Sequence, residues 1–348
     1  MLCLVERNRK EEDKMNILFI SHEGDSLGLA MRCRSEGHPT HLYISKEEAG
    51  CVGDGLIDKP LTRRRLKKLS GDCIATNIDE LLKEVKPDLV VFDSVGFGKV
   101  ADYLRERGIA VFGSSFWSDT LITSTDYGKQ MMKRLNVDVV SGEEYVVLWN
   151  GTTIVSSFLI RNETRLMTGS LGLNVDSVGN VMIEHSPKKY DELSERVEKL
   201  LKKVKFRGIL SIGKKFDVSV RYLPLILETY KGSIADFLFS IASCKNYEGE
   251  VTSDYAVSIL LSIPPYPYQP PSKSVSIEGV NECNLKHLHL IDVAKPSADG
   301  EYETAEASGR VGWVTARGRS VKEAKKRAYI TISNLRIQDV QYRLDVGN

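Results

Sequence analysis

Two short runs, NILFIS at 16–21 and PDLVVFD at 87–93, are apolar at consecutive positions and not at alternate ones. A strand of that kind has to be covered on both faces, which points to a sheet enclosed by helices. The segments between and after these runs supply the helices. After NILFIS comes the polar, glycine-bearing loop HEGDSLG, and then apolar residues at helical spacing through Leu27, Leu29, Ala30 and Met31. THLYIS (40–45) is a second strand, IDELLKEV (78–85) a helix, KVADYLRERG (99–108) a helix ending at a glycine C-cap, and IAVFG (109–113) closes the unit. Strands alternating with helices predict a doubly wound α/β domain over 15–113 with a mainly parallel sheet. Such sheets place ligands at the carboxyl ends of their strands, so His22 in the first strand–helix loop is a candidate contact.

A chain of 348 residues exceeds one ordinary core. Ser114 to Leu135 reads as a helix, and EYVVLWNGTTIVSSFLI (144–160) as a hairpin about Asn150-Gly151 in a type I′ turn. SPKKYDELSERVEKLLKKV (186–204) reads as a helix with Ser186 as cap and Pro187 in its first turn. GILSIGKKFDVSVRY (208–222) is strand-rich and SIADFLFSIAS (233–243) helical. The polar stretch CKNYEGEVTSD (244–254) reads as a link to an α+β module from about residue 250, which holds YAVSILLSI, RVGWVTA and a long basic helix. The expected division is 1–14 as a charged N-terminal extension, 15–113, 114–249 and 250–348. Met15 opens the first strand directly, so it competes with Met1 as the start.

Charge and composition exclude some functions. The formal net charge is +1, without the basic excess of a nucleic-acid-coating protein. No apolar run reaches the length of a membrane span. The six cysteines form no C-x-x-C pair, which fits reduced thiols in the cytoplasm. RRRLKK (63–68) and the helix RGRSVKEAKKRAYITI are read as solvated faces, the helix burying Val321, Ala324, Ala328 and Ile332. His287 and His289 alternate along HLHL without a third ligand at metal spacing, and are read as an exposed strand face. Ser21 and Ser211 lack a G-x-S-x-G elbow.

An ordered series near the C-terminus is more specific. Gly309, Arg310 and Val311 are followed by Val314, Thr315 and Ala316. Then come Glu323, Ala324, Lys326, Arg327, Ala328 and Tyr329, and finally Tyr342, Arg343, Asp345 and Gly347. This resembles the terminal module of the phosphoribosylamine–glycine ligase family, ATP-grasp enzymes that join glycine to phosphoribosylamine in purine synthesis. Tyr266-Pro267 matches the family's G-G-Y-P, its glycines being Pro264 and Pro265 here. YGKQMMKRLNV matches a family helix at Lys129, Met132 and Arg134, GLN (172–174) its G-P-N, and RGILSIG (207–213) its Y-x-G-x-L-Y-A-G strand. The resemblance runs from about Met15 to the end. It implies a doubly wound N-terminal domain, a shortened ATP-grasp-like middle and an α+β C-terminal module.

It also implies a site: Arg165, Asn174 and Arg221 as catalytic residues, Lys129 toward nucleotide, and Asp217 toward magnesium. The substrate loop is His22, Glu23, Gly24 and Asp25. ATP and magnesium are implied as cofactors if the chain is active, and none otherwise. The departures fall on this chemistry. NVDVVSGEEYVVL (136–148) leads straight into the next hairpin where the family inserts a glycine-rich lid, and Thr125 replaces the lysine of an S-K pair. The family's E-F-N metal clamp stands as Asp217, Val218 and Ser219, and the G-D-P-E after it is deleted. The phosphate loop G-G-R-E-H stands as Glu23, Gly24, Asp25, Ser26 and Leu27, with acids where an anion needs a cation. The expectations are therefore a ligase-like protein with its activity lost or altered, or a scaffold on the same fold binding a small molecule or protein partner. A third is an amide ligase on another substrate, a modified nucleobase included.

Overall fold

The computed structural model describes residues 14–60, 74–247, 249–251, 255–297 and 300–348. The RRRLKK run and nearly all of the charged extension lie outside the described residues.

The chain opens with β1 (Ile17–Ser21), α1 (Leu27–Ser35), β2 (Thr40–Ile44), α2 (Ile74–Val85), β3 (Leu89–Phe92), α3 (Gly98–Glu106) and β4 (Ala110–Phe112). These strands form one parallel sheet in the order β2-β1-β3-β4. Both of its faces are covered, as the unbroken apolar runs require. Ile17 and Phe19 pack with Leu27, Leu42 and Leu89 on one side. Leu18 and Ile20 pack with Leu81, Val100 and Leu104 on the other. This is the predicted doubly wound α/β arrangement.

Next come α4 (Phe116–Thr123), α5 (Thr125–Arg134), β5 (Glu143–Trp149), β6 (Ile154–Met167), β7 (Leu171–His185), α6 (Asp191–Leu201), β8 (Gly208–Ile212), β9 (Phe216–Asp217), α7 (Leu223–Leu227), β10 (Tyr230–Lys231) and α8 (Ile234–Ala242). The remaining elements are β11 (Glu250–Val251), β12 (Tyr255–Ser262), β13 (Ser276–Glu278), β14 (Leu288–Leu290), β15 (Val293–Ala294), β16 (Tyr302–Thr304), β17 (Arg310–Gly318), α9 (Val321–Ser333) and β18 (Arg336–Ile337). An eight-stranded sheet in the order β14-β17-β12-β7-β6-β5-β8-β9 runs through both the middle and the C-terminal segments. Its strand pairs are antiparallel. Between α5 and β5 the chain makes a short connection with neither strand nor helix.

Several local expectations are corrected. The helix over 114–135 is two helices, because Ser124 is extended (φ −95°, ψ 100°) and its hydroxyl caps the second by accepting from Tyr127 N. The hairpin loop is not a two-residue type I′ turn. Trp149 pairs with Ile154, leaving 150–153 as the loop. The Asn150 side chain holds that loop by accepting from Thr152 N and Thr153 N, both at 2.9 Å. Ser186 does not start a helix: β7 runs on to His185, Pro187 is extended, and a 3₁₀ turn at Lys188–Tyr190 precedes α6. Val220–Tyr222 is a 3₁₀ turn and not strand. The described part of 244–254 is no free link, since Tyr247 packs edge-on against Phe237 and β11 pairs with β10. His289 is buried, not exposed: its strand lies against α1, where a side chain on Gly28 would meet His289 backbone at 2.6 Å. Burial holds this imidazole down at about 3, so it stays neutral.

The helix α9 buries Ala324, Ala328 and Ile332 beneath a charged outer face, as its spacing predicts, while Val321 at its first turn is only half-buried.

Candidate functional site

A cleft of about 680 Å³ opens at the carboxyl ends of β1 and β3 and faces the long sheet. The order β2-β1-β3-β4 puts the change of winding direction between β1 and β3, where open α/β sheets bind ligands. One wall is Glu23, Asp25 and Asp93; the other comes from β7, the 215–221 segment, Tyr266, Arg310 and Trp313.

Five sequence-predicted residues meet there: Glu23, Asp25, Asn174, Asp217 and Arg221. Gly24 lies between two of them at φ +98°, where an added Cβ would come within 2.4 Å of Val52 Cγ1. The loop therefore requires glycine. His22 is directed elsewhere. Its Nε2 donates to the Val95 carbonyl at 3.0 Å, its Nδ1 accepts from the Ser45 hydroxyl at 2.6 Å, and its ring stacks on Phe97. Burial lowers its pKa, which keeps this bridge neutral. Lys129 is exposed on α5, and Arg165 is exposed on the β6–β7 arm, donating to the Gly172 carbonyl at 3.0 Å. Neither lines the cleft.

The electrostatics of the cleft are those of internal pairing. Arg310 donates to Asp25 Oδ1 at 2.6 Å and to Glu23 Oε2 at 3.2 Å. Lys46 also pairs with Glu23. Burial opposes the charge on Arg310, but Asp25 and Glu23 overcome it and push the pKa up. Burial likewise opposes ionisation of Glu23, while Lys46 and Arg310 hold it below the usual range. Across the cleft, Arg221 contacts Asp217 Oδ2 at 2.9 Å and Glu144 Oε1 at 3.4 Å. Burial again works against the guanidinium, and Asp217 and Glu144 outweigh it. Lys215 pairs with Asp176 at 3.4 Å.

Asp93 was not singled out from sequence, although its place at the carboxyl end of β3 is where the fold puts ligand-facing residues. It is fully buried. Its Oδ2 accepts from Ser26 N at 2.9 Å and Ser26 Oγ at 2.8 Å, and its Oδ1 from Ser94 Oγ at 3.0 Å. Ser26 is the N-cap of α1, so a carboxylate of the protein sits on the helix N-terminus that would otherwise receive an anion. Desolvation, then repulsion from Asp25, raises Asp93 to about 7. Glu144 was also missed. Only the hairpin pairing and the 3₁₀ turn bring it to Arg221, and no local motif signals that.

Magnesium takes a shell of oxygen ligands. Asp217 is largely engaged within the protein: Oδ1 accepts from Ser219 N at 2.9 Å, and Oδ2 from Ser219 Oγ at 2.9 Å and from Arg221, which leaves at most one lone-pair site on Oδ1. Among the described residues, no three His, Cys, Asp or Glu side chains group as a metal site. One lone-pair site beside a guanidinium makes Asp217 by itself a poor magnesium clamp.

Comparison with known proteins agrees with the fold. Residues 256–348 match the family model of the phosphoribosylglycinamide synthetase C domain. The phosphoribosylamine–glycine ligase of Helicobacter pylori is 26% identical over 434 aligned positions, which cover 97% of each chain. Along nearly its whole length the chain is similar to phosphoribosylamine–glycine ligases. That alignment exceeds the chain's 348 residues by 86, so at least 86 positions of the relative face gaps here. The phosphoribosylamine–glycine ligase of Thermotoga maritima superposes with a TM-score of 0.66 at 17% identity, covering 95% of this chain and all of that one. The biotin carboxylase domain of the Hydrogenobacter thermophilus 2-oxoglutarate carboxylase, solved with MgADP and bicarbonate, has the same fold. Its TM-score is 0.58 at 12% identity, over 95% of this chain and 92% of that domain. Among the described residues, no helix is long and apolar enough to cross a membrane.

Proposed function

We propose that this phosphoribosylamine–glycine ligase relative does not by itself run ATP-dependent ligation, and that its cleft has become a ligand- or partner-binding site on the ligase scaffold. One observation carries the reading: the protein's own carboxylates occupy the anion-binding features of the cleft. Arg310 is held by Glu23 and Asp25, Arg221 by Asp217 and Glu144, and the α1 N-terminus by Asp93. Phosphoryl transfer depends on magnesium and unpaired cations that neutralise the triphosphate. An incoming triphosphate would have to displace each of these internal partners and leave partly buried carboxylates unpaired, which is costly.

The short connection between α5 and β5 points the same way. Acyl-phosphate chemistry needs a site closed to water, since an open one hydrolyses its intermediates. On this reading ATP and magnesium are not cofactors of the chain alone, and Asn174, Arg221 and Asp217 shape the binding site and do not perform catalysis. Titration of the purified chain with magnesium-ATP by calorimetry tests it. The reading predicts no saturable heat at millimolar nucleotide, and micromolar affinity would overturn it.

A further inference from the structure

A second cavity, of about 280 Å³, lies away from the cleft, between the last turn of α3, the β5–β6 loop and the segment 204–207 that leads into β8. It marks the seam between the two main sheets. Gly113 N, just after β4, donates to the Arg207 carbonyl at 2.7 Å, and these two residues form an isolated bridge.

The cations here are arranged unlike those of the cleft. Arg105, Lys205 and Arg207 line the cavity with Glu106, Gly151, Val204 and Phe206. Arg207 donates to the Ala242 carbonyl at 2.6 Å, and among the described residues it makes no ion pair with a carboxylate. Lys205 pairs with Glu106 at 2.5 Å, both being more than half exposed. The Arg105 side chain is only 3% exposed. Its Nη atoms donate to Asp102 at 2.9 Å and to the Ser114 and Gly113 carbonyls, each at 2.8 Å, while its buried Nε–H finds no acceptor. Burial lowers Arg105 to about 10, with Asp102 pushing back and Arg207 adding to the fall. Asp102 is further engaged by Phe116 N, and among the described residues it makes no ion pair with Arg207. Three cations thus face two carboxylates, and one of the three is desolvated with a donor unused. A side chain on Gly151, at φ +97°, would meet Arg207 Nε at 3.1 Å, so glycine keeps the approach open.

We propose that this cavity binds a phosphate dianion, free or as a small monoester, across the seam between the two sheets. Guanidinium forks match phosphate oxygens in geometry as well as charge. The volume lies near the lower end of small-molecule sites, enough for the phosphate and a short ester group. Bound there, the dianion links Arg105 of the first domain to Arg207 and Lys205 of the second, and a small shift gives the Arg105 Nε–H its acceptor.

The test is calorimetry on the full chain with inorganic phosphate and with glycerol 1-phosphate, ionic strength being held constant with chloride. Saturable binding is expected, weakened roughly tenfold or more in Arg207→Gln, as for loss of one charge-assisted contact. Lys205→Gln, a change at an exposed side chain that leaves the fold intact, should weaken it several-fold. Arg207→Lys should retain most of the affinity. Affinity at least tenfold tighter for the ester identifies a monoester as the ligand, and equal affinity identifies the free ion. Absence of binding overturns the proposal. So does binding untouched by both Arg207→Gln and Lys205→Gln, or binding lost in Lys215→Gln, which would place the ion in the main cleft.

Discussion

Replacing Asp93 by asparagine should stabilise the protein, by an amount that grows as pH rises from about 4 to about 7 and is then constant. The side chain is fully buried, and its pKa is raised from the ordinary 3.8 to about 7. Between those values the folded state holds a proton that the unfolded state has released. Stability therefore falls as pH rises through that window, by about 1.4 kcal/mol per pH unit and about 4 kcal/mol in all. Above pH 7 both states are ionised and the folded state carries the full penalty. Asparagine keeps the shape, and its oxygen still accepts from Ser26 N and Ser26 Oγ. Its amide donates to Ser94 Oγ, whose hydroxyl can rotate. Asp93→Asn should match the parent near pH 4 and gain about 2–4 kcal/mol at pH 8. Urea denaturation of both proteins from pH 4 to 9 gives the difference curve. A flat difference, or a mutant less stable at pH 8, would refute the reasoning that an internal, strained carboxylate fills the α1 N-terminus.

His289 acts with the opposite sign. Its folded value of about 3 lies below the ordinary 6.5, so stability falls by about 1.4 kcal/mol per unit as pH drops below 6.5, and His289→Leu should flatten that limb of the urea midpoint curve. Gly24→Ala should cost about 1–3 kcal/mol, from a positive φ and the contact with Val52; an unchanged urea midpoint would contradict the account of the loop. Arg221→Leu should cost about 3 kcal/mol by stranding Asp217 and Glu144, and adding Asp217→Ala should restore part of it. Denaturant titration of the single and double variants reads that coupling.

The first domain was legible because buried parallel strands and amphipathic helices carry their signals within a few residues, as NILFIS and PDLVVFD do. Boundaries set by single side chains were less so. Ser124 splits one helix and Asn150 widens one turn through hydrogen bonds that composition does not weigh. The acids of the first loop are plain in the sequence, but their partner Arg310 lies 285 residues from Asp25, and only the fold joins them. His289 misled because alternation in HLHL suggests one exposed face. As the edge strand of the long sheet, β14 is covered on that face by α1. Glu144 and the seam cations depend on tertiary contacts throughout.

On the proposed reading, the protein's own carboxylates close the cleft to ATP-dependent ligation. The most direct measurement is ADP release by the purified chain with magnesium, ATP, glycine and freshly prepared phosphoribosylamine. The missing cations and metal clamp each correspond to losses of about a hundred- to a thousandfold in rate, so no glycine-dependent turnover above background is predicted. Glycine-dependent turnover that disappears in Asp217→Ala would contradict the account.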